Sequence, residues 1–420
     1  MKELPSGWQI KRFEDVAKIQ SGSGFPKKYQ GRQKEKYPFF KVSDMNLPGN
    51  NTKMFNTTNT ISTATRLKLK SKLFPSNSII FPKVGGAIAT NKKRLTTCDC
   101  CVDNNIMGLL PKTDIIDSDF LYHFINSIDL LDLSNRSNPP SIRQSTVKDW
   151  NIPLPFLQEQ KRIVAILDEA FAGIDQAAAN TEKNLANARE VFESYLNGIF
   201  TQKGTGWADK KLSEILETQP RNGWSPPAKH HSDQGTPVVT LSSVTGFEFN
   251  LSKIKFTSAP VKPEAHYWLE NGALLITRSN TPELVGHVAV CSGLNEPIIY
   301  PDLIMKMMVD KDLADTRFIY YQLRSRKLRE VIMNSAKGAN PTMKKINKEV
   351  VQGLPMSLPS LRKQREITSR IDALAKETQH LESIYQKKLN ALAELKQSIL
   401  HKAFTGELTH SPEQELVEVC

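Results

Sequence analysis

The chain has 420 residues, enough for two or three domains with buried cores. Lys and Arg number 56 against 44 Asp and Glu, and this +12 surplus favours a polyanion partner, nucleic acid ahead of an acidic membrane. Five cysteines in so long a chain exclude a disulfide framework, and no apolar run reaches the length of a membrane span.

The opening Met1-Lys2-Glu3-Leu4-Pro5 lacks a secretory leader pattern, so a cytoplasmic protein with no membrane partner is expected. Next comes Gly7-Trp8-Gln9-Ile10-Lys11-Arg12-Phe13, which recurs 199 residues on as Gly206-Trp207-Ala208-Asp209-Lys210-Lys211-Leu212. Pro38-Phe39-Phe40-Lys41-Val42-Ser43 recurs at the same offset of 199 as Pro237-Val238-Val239-Thr240-Leu241-Ser242. Each is a short β-rich run behind a turn-prone stretch, and each predicts a strand. Ile106-Met107 and Phe120-Leu121-Tyr122 return 198 residues later as Ile304-Met305 and Phe318-Ile319-Tyr320. Pro140-Ser141-Ile142-Arg143 matches Pro341-Thr342-Met343-Lys344, now 201 apart. A drifting offset with little identity describes one scaffold carrying different loops, because loops tolerate length changes. Helices are predicted at 119–127 and 316–334, and Trp8 and Trp207 read as core anchors.

The loops behind the two Gly-Trp starts hold the sharpest local chemistry. The first is Ser21-Gly22-Ser23-Gly24-Phe25-Pro26-Lys27-Lys28-Tyr29. Its counterpart is Pro220-Arg221-Asn222-Gly223-Trp224-Ser225-Pro226-Pro227-Ala228-Lys229-His230-His231. Glycine, an aromatic ring and basic residues on one stiffened loop suit contact with phosphates and base edges. The candidate DNA contacts here are Ser23, Lys27, Lys28 and Tyr29, and then Arg221, Asn222, Trp224, Lys229 and His230. Further basic clusters add Lys68 and Lys70, then Lys92, Lys93 and Arg94, then Arg143, and finally Lys337, Lys344 and Lys345. Lys83 and Arg278 each follow a run that reads as a buried strand, Ile79–Phe81 and Leu274–Thr277, so both are expected at strand ends facing a groove. Cys98-Asp99-Cys100-Cys101 lacks both the Cys-x-x-Cys spacing and a second ligand pair, so no metal site is expected.

Two long segments close the halves, and they are copies of one another. Leu154 pairs with Leu358, Gln160 with Gln364, Leu185 with Leu389 and Phe200 with Phe404, all at an offset of 204. Behind Pro155 and Pro359 each segment lacks proline and is rich in Ala, Leu, Glu, Lys and Gln, the good helix formers. The first carries a 4–3 spacing through Val164, Leu167, Phe171, Ile174, Ala178, Thr181, Leu185, Ala188, Phe192, Tyr195 and Ile199, a heptad seam. The second shows Ile367, Ile371, Leu374, Thr378, Leu381, Tyr385, Leu392, Leu395 and Ile399. At about 1.5 Å per residue each helix would run roughly 65 Å. An apolar stripe of that length must be covered, and pairing of the two helices as an antiparallel coiled coil covers both. The predicted fold is therefore mixed α/β (α+β): two similar globular halves separated by two long antiparallel helices, a pseudo-two-fold internal repeat.

No catalytic constellation stands out. Asn138-Pro139-Pro140-Ser141 imitates an adenine-methyltransferase signature, but that signature needs an aromatic ring in fourth place to stack on a flipped base. No Walker loop, zinc-ligand helix or nucleophile elbow occurs. The chain reads as one that binds.

The segment Leu154-Pro155-x-x-Gln158-Glu159-Gln160-x-Arg162-Ile163 resembles the specificity subunit of Type I restriction–modification systems. So do its echo Leu358-Pro359-x-x-x-x-Gln364-Arg365-x-Ile367, the terminal Phe404-Thr405-Gly406-Glu407-Leu408 and the opening Leu4-Pro5-Ser6-Gly7-Trp8. The resemblance spans the whole chain; the second copy departs from it with Arg362-Lys363 in place of Gln158-Glu159. It implies target recognition domains at 1–153 and 204–357, a central long helix at 154–203, and a C-terminal helix and tail at 358–420. It further implies that each domain reads half of a split site on double-stranded DNA. The partners implied are two modification (methyltransferase) subunits, which hold S-adenosylmethionine, and restriction subunits, which use ATP and Mg; this chain itself would need no cofactor and carry no catalytic residue. The rival reading is a basic coiled-coil scaffold that binds proteins and no specific DNA sequence.

Overall fold

The computed structural model describes residues 4–135, 137–340 and 342–409; Met1, Lys2, Glu3 and Pro341, named above, lie outside these. Packing divides the chain into two units, Met1–Thr181 with Lys387–Cys420, and Glu182–Gln386. Each unit holds one globular half and a stretch of each long helix.

In the first unit, Gln9–Arg12 pairs antiparallel with Asn151–Leu154, so the start of the half is stitched to the strand that feeds the long helix. The main sheet has five strands in the order Ala17–Ser21, Ile106–Pro111, Ile79–Pro82, Arg94–Thr96 and Lys53–Met54. Ile79, Ile80 and Phe81 are fully buried, which is why this run is apolar without alternation. A second sheet joins Thr60–Ile61, Tyr37–Phe40 and Cys101–Val102.

The second unit repeats this plan. Ala208–Lys211 pairs with Pro355–Leu358. Its main sheet has four strands, Leu216–Asn222, Ile304–Val309, Leu274–Thr277 and Val288–Val290, and its second sheet joins His231–Ser232, Ile254–Thr257 and Thr236–Val239. The register repeats as well: Ser21 faces Met107 in the first half, and Asn222 faces Met305 in the second. Trp8 packs on the first core, and Trp207 on the second, against Phe200 and Phe318.

The long helices run Leu157–Gln202 and Leu361–Thr405. In the first unit Ile163, Leu167, Phe171 and Ile174 share a core with Leu400, Ala403 and Phe404, and Lys396 pairs with Asp175 at 2.9 Å. In the second unit Phe192, Leu196 and Phe200 share a core with Ile367 and Ile371, and Arg189 pairs with Glu382 at 3.1 Å. Within the second unit Arg189 faces Glu382 while Tyr195, Ile199 and Gln202 line a cleft with Lys363, Ile367 and Arg370, so the helices run antiparallel there. Each helix is also tied to its own half. His123 Nε2 meets Asp168 Oδ1 at 2.9 Å, and the matching Tyr321 hydroxyl donates to Asp372 Oδ1 at 2.6 Å.

Three expectations need correction. Tyr195 in the first helix and Leu381 and Leu395 in the second are exposed where the apolar stripes predicted burial, and in the first helix Leu196 is buried instead. A straight helix drifts about 20° per heptad against a 3.5-residue repeat, and here the helix end turns its apolar face to its own half. The helix predicted at 316–334 is two, Thr316–Arg324 and Arg326–Ser335, broken where the extended Ser325 folds its hydroxyl back onto the Gln322 carbonyl at 2.6 Å. Finally, Ile142 and Ile346 are the true equivalents, at an offset of 204 rather than 201: their amides donate to the carbonyls of Lys83 and Arg278, each at 2.9 Å.

Candidate nucleic-acid interface

In each half the second strand of the main sheet, Ile106–Pro111 or Ile304–Val309, runs antiparallel to both neighbours, so the ends of those neighbours meet at its start. Ser21 ends Ala17–Ser21, and Lys83 follows Ile79–Pro82; both therefore flank Ile106. Asn222 and Arg278 flank Ile304 in the same way. The backbone repeats to the individual bond: the Lys83 amide donates to Asn105 O and the Arg278 amide to Leu303 O, both at 2.8 Å.

Past that strand end the chain must cross close over another strand. A Cβ on Gly22 would stand 2.0 Å from the Asp103 carbonyl oxygen, and one on Gly223 would stand 1.9 Å from the Tyr300 oxygen. Glycine is required at both for close approach, not for an unusual φ. The loops then run to short helical turns, Lys27–Tyr29 behind Pro26 and Ala228–His230 behind Pro227, which align Lys28 with Lys229 and Tyr29 with His230. Aromatic rings pin each loop to its own half. Phe25 stacks on Phe39 at 3.8 Å, and Trp224 stacks on Tyr267 at 5.3 Å. Trp224 is thus half-buried, with one face already covered.

Several expected contacts come together here. Lys27, Lys28 and Lys229 are exposed, and Tyr29 lies under the cations of Lys28 and Arg32, at 5.3 and 5.8 Å from its centroid. The Lys72 amide donates to Ser23 Oγ at 3.3 Å, which brings the exposed Lys68 and Lys70 segment beside the first loop. The Lys83 ammonium donates to Ser21 Oγ at 3.0 Å; burial first, and then the nearby Lys72 charge, hold its pKa below the ordinary value. Lys344 and Lys345 pair with Asn280 and Ser279, directly behind Arg278, and Lys337 bridges to Lys345. His230 is half-buried and Arg221 exposed, while the Asn222 Oδ1 is buried and has no hydrogen-bond partner among the described residues. Arg143 is exposed and directly precedes the helix Gln144–Lys148, with no side-chain capping bond.

One expected contact is elsewhere. Lys93 is 2% exposed, and its ammonium donates inward to Ile128 O at 2.6 Å and Asn91 Oδ1 at 2.7 Å, so it cannot meet a phosphate. Burial lowers its pKa to about 8. Its neighbours are committed too: Lys92 bonds Asn46, and Arg94 bonds the backbone carbonyls of Asn50 and Lys93. A run of three cations reads as a solvated patch, but Lys93, just ahead of the strand Arg94–Thr96, turns inward.

Charge counting passes over Ser21, whose hydroxyl accepts from Lys83 at the strand end, and Gln144, whose amide donates to that same hydroxyl. Only the strand register could have found them. Among the described residues no group of three or more His, Cys, Asp or Glu side chains could hold a metal ion, and no helix is long and apolar enough to cross a membrane. Cys98 is exposed, and Cys100, Cys101 and Cys291 are buried and free.

Comparison with known proteins bears on this geometry. The family described as Type I restriction modification DNA specificity domain matches residues 5–185 and 204–391, once for each half. The EcoKI specificity subunit of Escherichia coli K12 is 28% identical over 97% of this chain and 90% of its own length. The StySPI specificity subunit of Salmonella potsdam is 26% identical over the same shares. Among solved structures, a chain from a study of assembly and conformational transition in the type I R-M system shares the fold, with a TM-score of 0.74 at 19% identity, over 97% of this chain and all of that one. The HsdS subunit of Thermoanaerobacter tengcongensis matches with a TM-score of 0.54 at 19% identity, over 97% and 98% of the two chains. Two matched recognition scaffolds, each carried by a copied helix, and a family match over both halves lead to one conclusion: this chain belongs to the Type I restriction–modification DNA specificity family.

Proposed function

We propose that residues 1–153 and 204–357 are two target recognition domains, each reading one half of a split, asymmetric site on double-stranded DNA. The observation that carries this is the repeat at the strand ends: one backbone frame presents Ser21, Lys83 and the loop 22–29 in the first half, and Asn222, Arg278 and the loop 223–230 in the second. An identical frame with different side chains suits two different half-sites and not an exact palindrome. The candidate contacts are Ser23, Lys27, Lys28, Tyr29, Lys68, Lys70, Lys83 and Arg143, and Arg221, Asn222, Trp224, Lys229, His230, Arg278, Lys337, Lys344 and Lys345; Lys93 is not among them. Lys92 and Arg94 keep at most a peripheral part.

In this reading the exposed lysines neutralise phosphates. That supplies affinity and a steep salt dependence, while side chains fixed at the strand ends choose the bases. The chain has no catalytic role of its own. It docks two modification subunits, which bring S-adenosylmethionine, and, where they are present, restriction subunits, which bring ATP and Mg.

Binding of the chain with its modification subunit to a pool of randomised duplexes tests this reading. A single two-part sequence should be selected, with affinity falling steeply as salt rises. Equal binding to all duplexes, or none, would return the chain to a protein-binding scaffold.

A further inference from the structure

The first half carries an uncharged side chain among its cations. Gln144 opens the helix Gln144–Lys148 and is half-buried. Its Nε2 donates to Ser21 Oγ at 3.2 Å, and the Lys83 ammonium donates to the same oxygen at 3.0 Å. A serine hydroxyl has two lone pairs, so these donors use both. The Oε1 of Gln144 and its second Nε2 hydrogen have no partner among the described residues. The result is an amide fixed at one corner and offering one acceptor and one donor, at the end of a sheet where a cationic loop gathers.

Resting on the reading of the first half as a recognition domain, we propose that Gln144 is a specificity-determining residue whose carboxamide reads a base edge, adenine first, with Ser21 and Lys83 as its positioning residues. Adenine presents N7 as acceptor and N6 as donor in the major groove, the complement of an amide. A phosphate offers only acceptors and would leave Oε1 against negative oxygen. A neutral amide also releases no counterions, so it has little to contribute to sequence-independent affinity. The second half supports a discriminating role by contrast. The residue behind the cap of the matching helix is the exposed Lys348, Ser21 becomes Asn222, and Lys83 becomes Arg278. The frame is kept, and the hydrogen-bonding set at its centre is exchanged.

Selection from randomised duplexes by the full chain with its modification subunit tests this, comparing the parent protein with Gln144→Ala, Gln144→Glu and Ser21→Ala. Gln144→Ala should lose about ten- to a hundredfold discrimination at one position of one half-site. The other half-site and the salt dependence should stay as they were. Gln144→Glu, an acceptor only, should move the preference at that position towards cytosine, whose N4 is a donor. Ser21→Ala should blur the same position, and it decides the matter if the Gln144 variants fail to fold by thermal melting. Uniform weakening on every sequence would make Gln144 a phosphate contact and overturn the proposal, as would an unchanged selection. A parent protein that selects no sequence would instead overturn the reading of the whole chain.

Discussion

Gln160 and Gln364 make the same hydrogen bonds in their respective units. Gln160 is fully buried; its Oε1 accepts the Asp117 amide at 2.8 Å, and its Nε2 donates to Pro155 O at 2.8 Å and Ile115 O at 3.2 Å. Gln364 accepts the Asp315 amide at 2.9 Å and donates to Pro359 O at 2.9 Å and Leu313 O at 3.4 Å. Each glutamine thus locks the first turn of a long helix to the loop that starts a helix of its own half. This gives the repeated glutamine a structural reason, and the exposed positions 158, 362 and 363 around it are free to differ, whereas Glu159 is half-buried. Gln160→Ala strands a buried amide and should cost about 2–3 kcal/mol in denaturant unfolding. Gln160→Glu keeps the accepting bond but turns an oxygen on two carbonyls, so it should be at least as damaging. Parent-like unfolding of both variants would refute the lock.

The two loop glycines should behave unlike their neighbour. Gly22→Ala and Gly223→Ala place a methyl against carbonyl oxygens, whereas Gly24→Ala meets nothing within 4 Å. Gly22→Ala is expected to displace the first loop and reduce selection in one half-site, and Gly223→Ala to do so in the other; Gly24→Ala should be near neutral. Selection profiles of the three variants check this. Equal effects from Gly22→Ala and Gly24→Ala would contradict it.

Lys93 gives the first half a signature in alkaline titration. Its pKa falls from 10.5 in the ordinary environment to about 8 through burial, partly offset by Asp129. Below pH 8 the ammonium is charged in both folded and unfolded states, and its burial is a standing cost. Between about pH 8 and 10.5 the unfolded chain holds a proton that the folded chain has lost, so stability rises with pH across that window. The difference in unfolding free energy between the parent and Lys93→Met should therefore shift by on the order of 2–3 kcal/mol in favour of the parent across it. Matched denaturant titrations at both ends of the window read it, and a flat difference would mean that the ammonium reaches solvent.

Much of this was legible because the repeat left two different traces. The helices must stay in register with one another, so their offset holds at 204 while the halves drift, and that contrast marked out the architecture. Continuous apolar runs located the strands Ile79–Pro82 and Leu274–Thr277, and so placed Lys83 and Arg278. The inward turn of Lys93 was hidden, since a lysine's sequence neighbours do not say which carbonyl its ammonium will meet. Gln144 was hidden for a related reason: its place beside Ser21, 123 residues away, is made by tertiary packing alone. The break at Ser325 escaped as well, because one serine inside an apolar-periodic stretch carries no helix-stopping signal of its own.

The central claim is that the two halves read independently. Its most direct test replaces residues 1–153 with the corresponding half of another family member, expresses the hybrid with the modification subunit, and maps the methylated sites by sequencing. One half of the split site should change while the other stays as in the parent. A change in both halves, or in neither, would contradict the account.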